Sequence, residues 1–353
     1  MPPILKNILQ IILFFGVGFT ILYFVYQNQN TAFQAQCAID GIPTSDCSLL
    51  NKIWQDFRTI DAKWLFLVLI LFNISNIARA ARWRMMMQSL NYDIRLSNAF
   101  YSVMIGYFAN LGLPRAGEIL RATVLSKYEK IRVEKVIGTI ALDRILDVIS
   151  ILVIVGFTVL LEFDLILQFL KDNSDGSSNG IPNWAIISGI SLVVLLIIIG
   201  VFRNKLMELS FVRRFIQLLL GFWEGVVSIR TISRPWLFIF YSLVIWLMYF
   251  GMTYVCFFAF EPTAHLGLRA ALIVFVFGTF GVIIPSPGGM GTFHALAVIA
   301  LAIFGIAGDD AFSFANILFF SVQIGCSVLL GIIAIIALPI LNRGYSPDRP
   351  PVL

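Results

Sequence analysis

The chain has 353 residues, 59% hydrophobic and 13% charged, with mean hydropathy +0.89 and net charge +5. Apolar runs of about 20 residues recur from end to end, as membrane-crossing helices require. The longest polar interval, residues 27–61, is too short to build a core of its own, which excludes a separate soluble domain.

Residues 4–26 form the first hydrophobic segment, with Lys6 near its start. It is long for the apolar part of a cleaved leader and no small-residue cleavage site follows, so a retained anchor is expected. Residues 27–61 are polar and acidic and carry Cys37 and Cys47, a candidate disulfide if the loop faces an oxidising compartment. A second span over residues 62–78 is expected to end at Arg79, Arg82 and Arg84, with Asn73 and Asn76 hydrogen-bonding between helices. Residues 96–113 are moderately apolar and run into Asn110-Leu-Gly-Leu-Pro-Arg-Ala-Gly-Glu-Ile-Leu-Arg121. After a basic stretch at 127–135, residues 136–163 span again but contain Asp143, Arg144 and Asp147. A Gly/Ser/Asn/Asp-rich loop at 171–180, a span at 184–202 and a basic amphipathic surface helix at 203–234 follow. Residues 236–260 span once more. The run 268–306 is then interrupted by Pro285-Ser-Pro-Gly-Gly-Met-Gly291. A last span, 311–341, leads to a Pro-rich tail, 342–353.

Loop charges orient this order. With a cytoplasmic N-terminus, and with residues 96–113 dipping into the membrane and returning, 19 of the 25 Lys and Arg fall on cytoplasmic segments. That asymmetry follows the positive-inside rule. It places both termini in the cytoplasm and the cysteine loop outside; the expected location is the cytoplasmic membrane of a bacterium. The expected fold is an all-α polytopic bundle with two Pro/Gly-broken re-entrant hairpins, at Pro114 and at Pro285. Setting Pro114 over Pro285 also matches two lead-ins in kind, each an apolar helix containing a glycine, Gly106 or Gly278, as an inverted repeat would.

Broken segments are tolerated at membrane depth only where protein or a wet cavity satisfies their backbone. Three groups of residues are candidates for chemistry there. Asp143, Arg144 and Asp147 are ionisable groups inside a span. Arg144 reaches Asp147 at i, i+3, and Arg115 or Arg121 is a candidate partner for the remaining acid. They form either the polar wall of a substrate path or a structural ion-pair network. Arg115, Glu118 and Arg121 lie along one face of the helix that Pro114 starts, suited to forking onto a phosphate or to contacting headgroups. Pro287, Gly288, Gly289 and Gly291 permit close backbone approach and amides aimed at an anion, or are simply the tip of a turn. His294, one helical turn on, is either an interhelical hydrogen bonder or a proton carrier. Only two histidines are present, and there is no nucleotide loop, no Ser/His/Asp order and no metal-ligand cluster. No metal, cofactor or catalytic residue is therefore expected. Basic clusters beside spans indicate anionic lipid and not nucleic acid.

Four motifs in order carry a family resemblance: Arg79-Ala-Ala-Arg-Trp83, the Asn110–Arg121 stretch, Leu142-Asp-Arg-Ile-Leu-Asp147, and Pro285-Ser-Pro-Gly-Gly-Met-Gly291. Together they resemble the lysylphosphatidylglycerol synthase transmembrane-region family, the flippase-like domain proteins, over about residues 60–341. The resemblance implies an all-helical membrane domain with re-entrant segments that moves a lipid across the bilayer. Lysyl transfer is not implied, because the chain has no soluble aminoacyl-transfer domain. His294 stands where many members carry Glu. On this reading residues 1–353 are one membrane domain: anchor and exoplasmic loop 1–61, flippase-like core 62–341, tail 342–353. The expected partners are membrane lipids with anionic headgroups, and an envelope-lipid synthase. Two alternatives stand beside it: an intramembrane headgroup transferase with Glu118 or Asp143 as base, and a non-transporting partner of an envelope-lipid enzyme.

Overall fold

The computed structural model describes residues 3–43, 47–112, 116–165, 232–284 and 286–347. Pro114, Arg115 and Pro285 lie outside these residues, as do the 171–180 loop, the 184–202 span and all but the last three residues of the 203–234 helix. Among the described residues there is no strand, and four helices are long and apolar enough to cross a membrane. The protein is an all-α integral membrane protein.

The described chain forms two compact units, residues 1–143 with 232–353, and residues 144–231. In the first unit, α1 (Pro3–Ile39) and α2 (Leu49–Thr59) precede α3 (Ala62–Ser89), α4 (Leu96–Gly112), α5 (Ala116–Glu129) and the start of α6 (Val133–Leu161). After the second unit come α7 (Pro235–Phe257), α8 (Leu268–Ile283), α9 (Thr292–Ala302) and α10 (Gly308–Leu341). The last carries a π-helical segment, Phe320–Cys326. In the second unit the described residues are the remainder of α6 and a few that follow. There Arg144 pairs with Asp147 at 3.5 Å, the i, i+3 contact read from the sequence.

Helix starts follow local chemistry. The Ser48 hydroxyl accepts from the Asn51 amide at 3.4 Å, and the Asp61 carboxylate from the Lys63 amide at 3.2 Å. Pro235 opens α7, where no amide donor is needed. In α3 the bulky residues Phe66, Ile70, Ile74 and Ile77 are exposed at helical spacing, a lipid-facing stripe. Its other face packs on α7, where the Ser75 hydroxyl donates to the Ile245 carbonyl at 3.4 Å.

Three expectations change. α1 continues as helix to Ile39, past the polar boundary at residue 26, because Gln- and Ala-rich sequence propagates a helix already nucleated. The polar interval is thus helix end plus α2, not loop. α3 runs past Ala78 to Ser89, because Arg79 and Arg82 are buried and neutralised within the bundle. Finally, Asn73 and Asn76 donate to the Leu69 and Phe72 carbonyls of their own helix at 2.9 and 2.8 Å. In a dry environment the i−4 carbonyl is the nearest acceptor.

Two helical hairpins occupy the broken segments. At 1.5 Å per residue, α4, α5, α8 and α9 are about 25, 21, 24 and 16 Å long, each short of the roughly 30 Å hydrocarbon core. In the first hairpin, Gly106 and Gly117 face each other: a Cβ on Gly106 would sit 3.0 Å from the Gly117 carbonyl oxygen. The Asn110 side chain accepts from the Gly117 amide at 2.9 Å, capping α5 across the break. At the base of this hairpin the buried Glu129 carboxylate accepts from the Arg95 amide (2.9 Å), the Asn98 side chain (2.7 Å) and the Tyr345 hydroxyl (3.1 Å). The end of the described chain is thereby fastened to α4 and α5. In the second hairpin, Gly278 and Gly281 lie against Phe293, with a Gly281 Cβ falling 2.6 Å from the Phe293 Cα. Both hairpins close through glycines in the incoming helix, Gly106 in one and Gly278 with Gly281 in the other.

Lys52 of α2 binds Asp310 at 2.6 Å, Asp56 at 3.0 Å and Asp309 at 3.5 Å. Burial disfavours its charge, but the Asp310 and Asp56 carboxylates outweigh burial and hold its pKa above the ordinary value. A raised lysine pKa stabilises the fold fully below the unfolded value and loses that stabilisation as pH rises through the folded value. Lys52→Met should therefore cost about 1–2 kcal/mol at neutral pH. Thermal melts should show this difference from wild type shrinking above pH ~10.5, the unperturbed range of lysine.

Candidate functional site

The site begins with the arginines of α3. Arg79 and Arg82 are i, i+3 on one helix face and are 3% and 0% exposed. Arg79 Nη1 donates to Asp143 Oδ2 at 3.1 Å, and Arg82 Nη2 to Asp143 Oδ1 at 2.5 Å. Arg121 of α5 brings a third guanidinium to 3.6 Å from Asp143 Oδ2. Three cationic side chains from two helices thus converge on one buried carboxylate of α6 (1% exposed). Burying charge is tolerable only with such pairing.

Aromatic and hydroxyl groups extend this centre. The Arg121 guanidinium lies 5.3 Å from the Trp83 ring centroid, and that of Arg79 lies 5.9 Å from Tyr249. The Trp83 indole donates to Thr139 at 2.9 Å, fixing the ring. Arg82 also donates to Ser242 at 3.1 Å, and the Tyr249 and Tyr107 hydroxyls are 3.1 Å apart. A polar strip therefore runs from the ion centre through α7 to α4. Close packing at Gly106, whose Cβ would be 3.2 Å from the Arg121 Cβ, sets Arg121 against α4.

The Pro-Gly break is satisfied internally. Gly289 and Gly291 have φ of +87° and +82°, a region that disfavours side chains. The Gly289 and Met290 amides donate to the Ser286 and Pro287 carbonyls at 3.1 and 2.9 Å. The Thr292 hydroxyl donates to the Gly281 carbonyl at 2.6 Å. His294 is 1% exposed, and its Nδ1 accepts from the Gly291 amide at 3.3 Å. Its ring packs on Phe319 and Phe312, with centroids at 4.8 and 6.0 Å. The two tips meet, since a Cβ on Gly288 would lie 3.5 Å from Leu111 Cδ2 at the end of α4.

Of the residues picked from the sequence, Arg121 and Asp143 come together. Glu118 is part-buried in the first turn of α5. Pro287, Gly288, Gly289, Gly291 and His294 form the second tip. Arg144 and Asp147 pair with each other in the second unit. Cys37 and Cys47 are bonded. Arg79, Arg82 and Tyr249 were not picked. For the two arginines a signal was present: Met85, Met86 and Met87 continue the apolar face beyond them, so the helix does not end there.

The chain matches the family described as lysylphosphatidylglycerol synthase TM region over residues 48–342. It is 23% identical over 290 residues to a UPF0104 membrane protein of Methanocaldococcus jannaschii, covering 73% of this chain and 80% of that protein. It is 27% identical over 143 residues to a UPF0104 membrane protein of Pyrococcus horikoshii, covering 39% of this chain and 38% of that one. No solved structure matches. A match across most of the helical core, together with the ordered arginine, aspartate and Pro-Gly motifs, establishes that this chain belongs to the lysylphosphatidylglycerol synthase transmembrane-region family.

Proposed function

We propose that this protein moves a lipid with an anionic headgroup between the leaflets of the cytoplasmic membrane. The observation that carries the reading is the convergence of Arg79, Arg82 and Arg121 on Asp143 amid apolar helices. Ionisable groups at membrane depth are expensive and mark paths for polar cargo. The headgroup phosphate would exchange with Asp143 for guanidinium donors, which match phosphate in fork geometry, while the acyl chains stay in lipid. Tyr107 and Tyr249 would line its approach. The two hairpins, too short to cross, would enter from opposite faces and meet at Leu111 and Gly288. Transport fits this centre better than headgroup transfer. Guanidinium groups engage both oxygens of Asp143, so neither is aimed at a substrate proton.

The test is reconstitution. In vesicles carrying a fluorescent anionic phospholipid, wild-type protein should expose inner-leaflet probe to a membrane-impermeant reductant. Protection of half the probe, as in protein-free vesicles, would rule transport of that lipid out.

A further inference from the structure

The matched family region begins at residue 48, so α1 lies outside it. Yet α1 sits directly on the Pro-Gly tip. A Cβ on Gly18 would fall 2.7 Å from Pro287 Cδ. A Cβ on Gly291 would fall 2.6 Å from the Gly18 carbonyl oxygen and 2.7 Å from the Leu22 amide nitrogen. One glycine on each partner leaves room for backbone-to-backbone contact and for nothing larger. Further along α1, the Gln29 side chain packs on Gly308 and the Tyr26 ring lies 6.4 Å from Phe312, both on α10.

The far end of this segment is tied down twice. Cys37–Cys47 links the end of α1 to the residues before α2. α2 is in turn fixed to the start of α10 by Lys52 with Asp309 and Asp310, and by the Ser313 hydroxyl donating to Asp56 at 2.5 Å. Phe57 meets Phe320 edge-on at 5.9 Å, at the first residue of the π-helical segment. The N-terminal segment therefore touches the tip at one end and the helix that follows the hairpin at the other.

We propose that α1, the disulfide and α2 form a strap that holds the Pro287–Gly291 tip in its closed arrangement, and that loosening either fastening lets the tip open. The strap rests only on the packing around the tip and stands or falls independently of lipid transport.

Hydrogen exchange on the full chain in nanodiscs tests it. Gly18→Leu, and separately the pair Cys37→Ser with Cys47→Ser, should each raise amide exchange over residues 286–294 about tenfold. Exchange over residues 96–112 should stay at the wild-type rate. Wild-type protection of the tip in the folded variants would overturn the strap, and so would a uniform rise throughout the chain. If Gly18→Leu does not fold, the cysteine pair decides alone, because it alters no residue that touches the tip.

Discussion

Asp143→Asn is expected to lower stability by about 3 kcal/mol, at the lower end of what removing one partner from a buried ion network costs. The variant keeps the size of the side chain and one oxygen acceptor, but leaves Arg79, Arg82 and Arg121 gathered without the carboxylate that both α3 arginines hydrogen-bond. Guanidinium groups deprived of the Asp143 charge cannot be neutralised by losing a proton, so the helices must separate, admit water or bind an anion. Thermal melts in detergent read the loss directly. Added anionic phospholipid should restore part of it, because a ligand that binds the folded state stabilises by mass action. A melt equal to wild type, or recovery equally strong with a zwitterionic lipid, would speak against an anion-accepting centre.

Gly117→Val and Gly281→Ala should each cost about 3 kcal/mol, the upper part of the range for overpacking, because backbone blocks the new atoms in both places. A Cβ on Gly117 would overlap the Gly106 carbonyl and crowd the Asn110 side chain. One on Gly281 would meet the Phe293 Cα and amide nitrogen at 2.6 and 2.8 Å. At both sites the nearest atom is backbone, which cannot swing aside. By contrast Gly138, which has nothing within 4 Å of the built Cβ, should accept alanine with no loss, or with a small gain from helix propensity. Parallel melts of the three variants separate a hairpin-closing role from a general intolerance of added methyl groups.

The helices and the two broken segments were legible in the sequence because hydropathy and Pro/Gly punctuation report them directly. Asp143 stood out because a carboxylate inside an apolar run is costly, and Arg121 was named as a candidate partner for the same reason. Arg79 and Arg82 were missed as members of the centre because arginines after an apolar run also mark the membrane boundary. Sequence periodicity cannot separate snorkelling from pairing with a residue 61 or 64 positions away. Tyr249 and Tyr107 carried no signal at all, since aromatic residues are frequent throughout this chain. The role of His294 was equally hidden. A bond from the Gly291 amide to Nδ1 depends on the left-handed backbone at Gly291, which residue type permits but does not announce.

On the proposed function, the strip from Asp143 through Tyr249 to Tyr107 is the headgroup path. Tyr249→Phe tests it most directly, because it removes one hydroxyl, 3.1 Å from that of Tyr107 and 3.5 Å from Arg79, with almost no change in volume. In vesicles containing a fluorescent anionic phospholipid, a headgroup path there gives a melt within about 1 kcal/mol of wild type and a transfer rate slower by up to roughly tenfold, the worth of one hydrogen bond. Wild-type transfer by Tyr249→Phe, alongside undiminished transfer by folded Asp143→Asn, would contradict it.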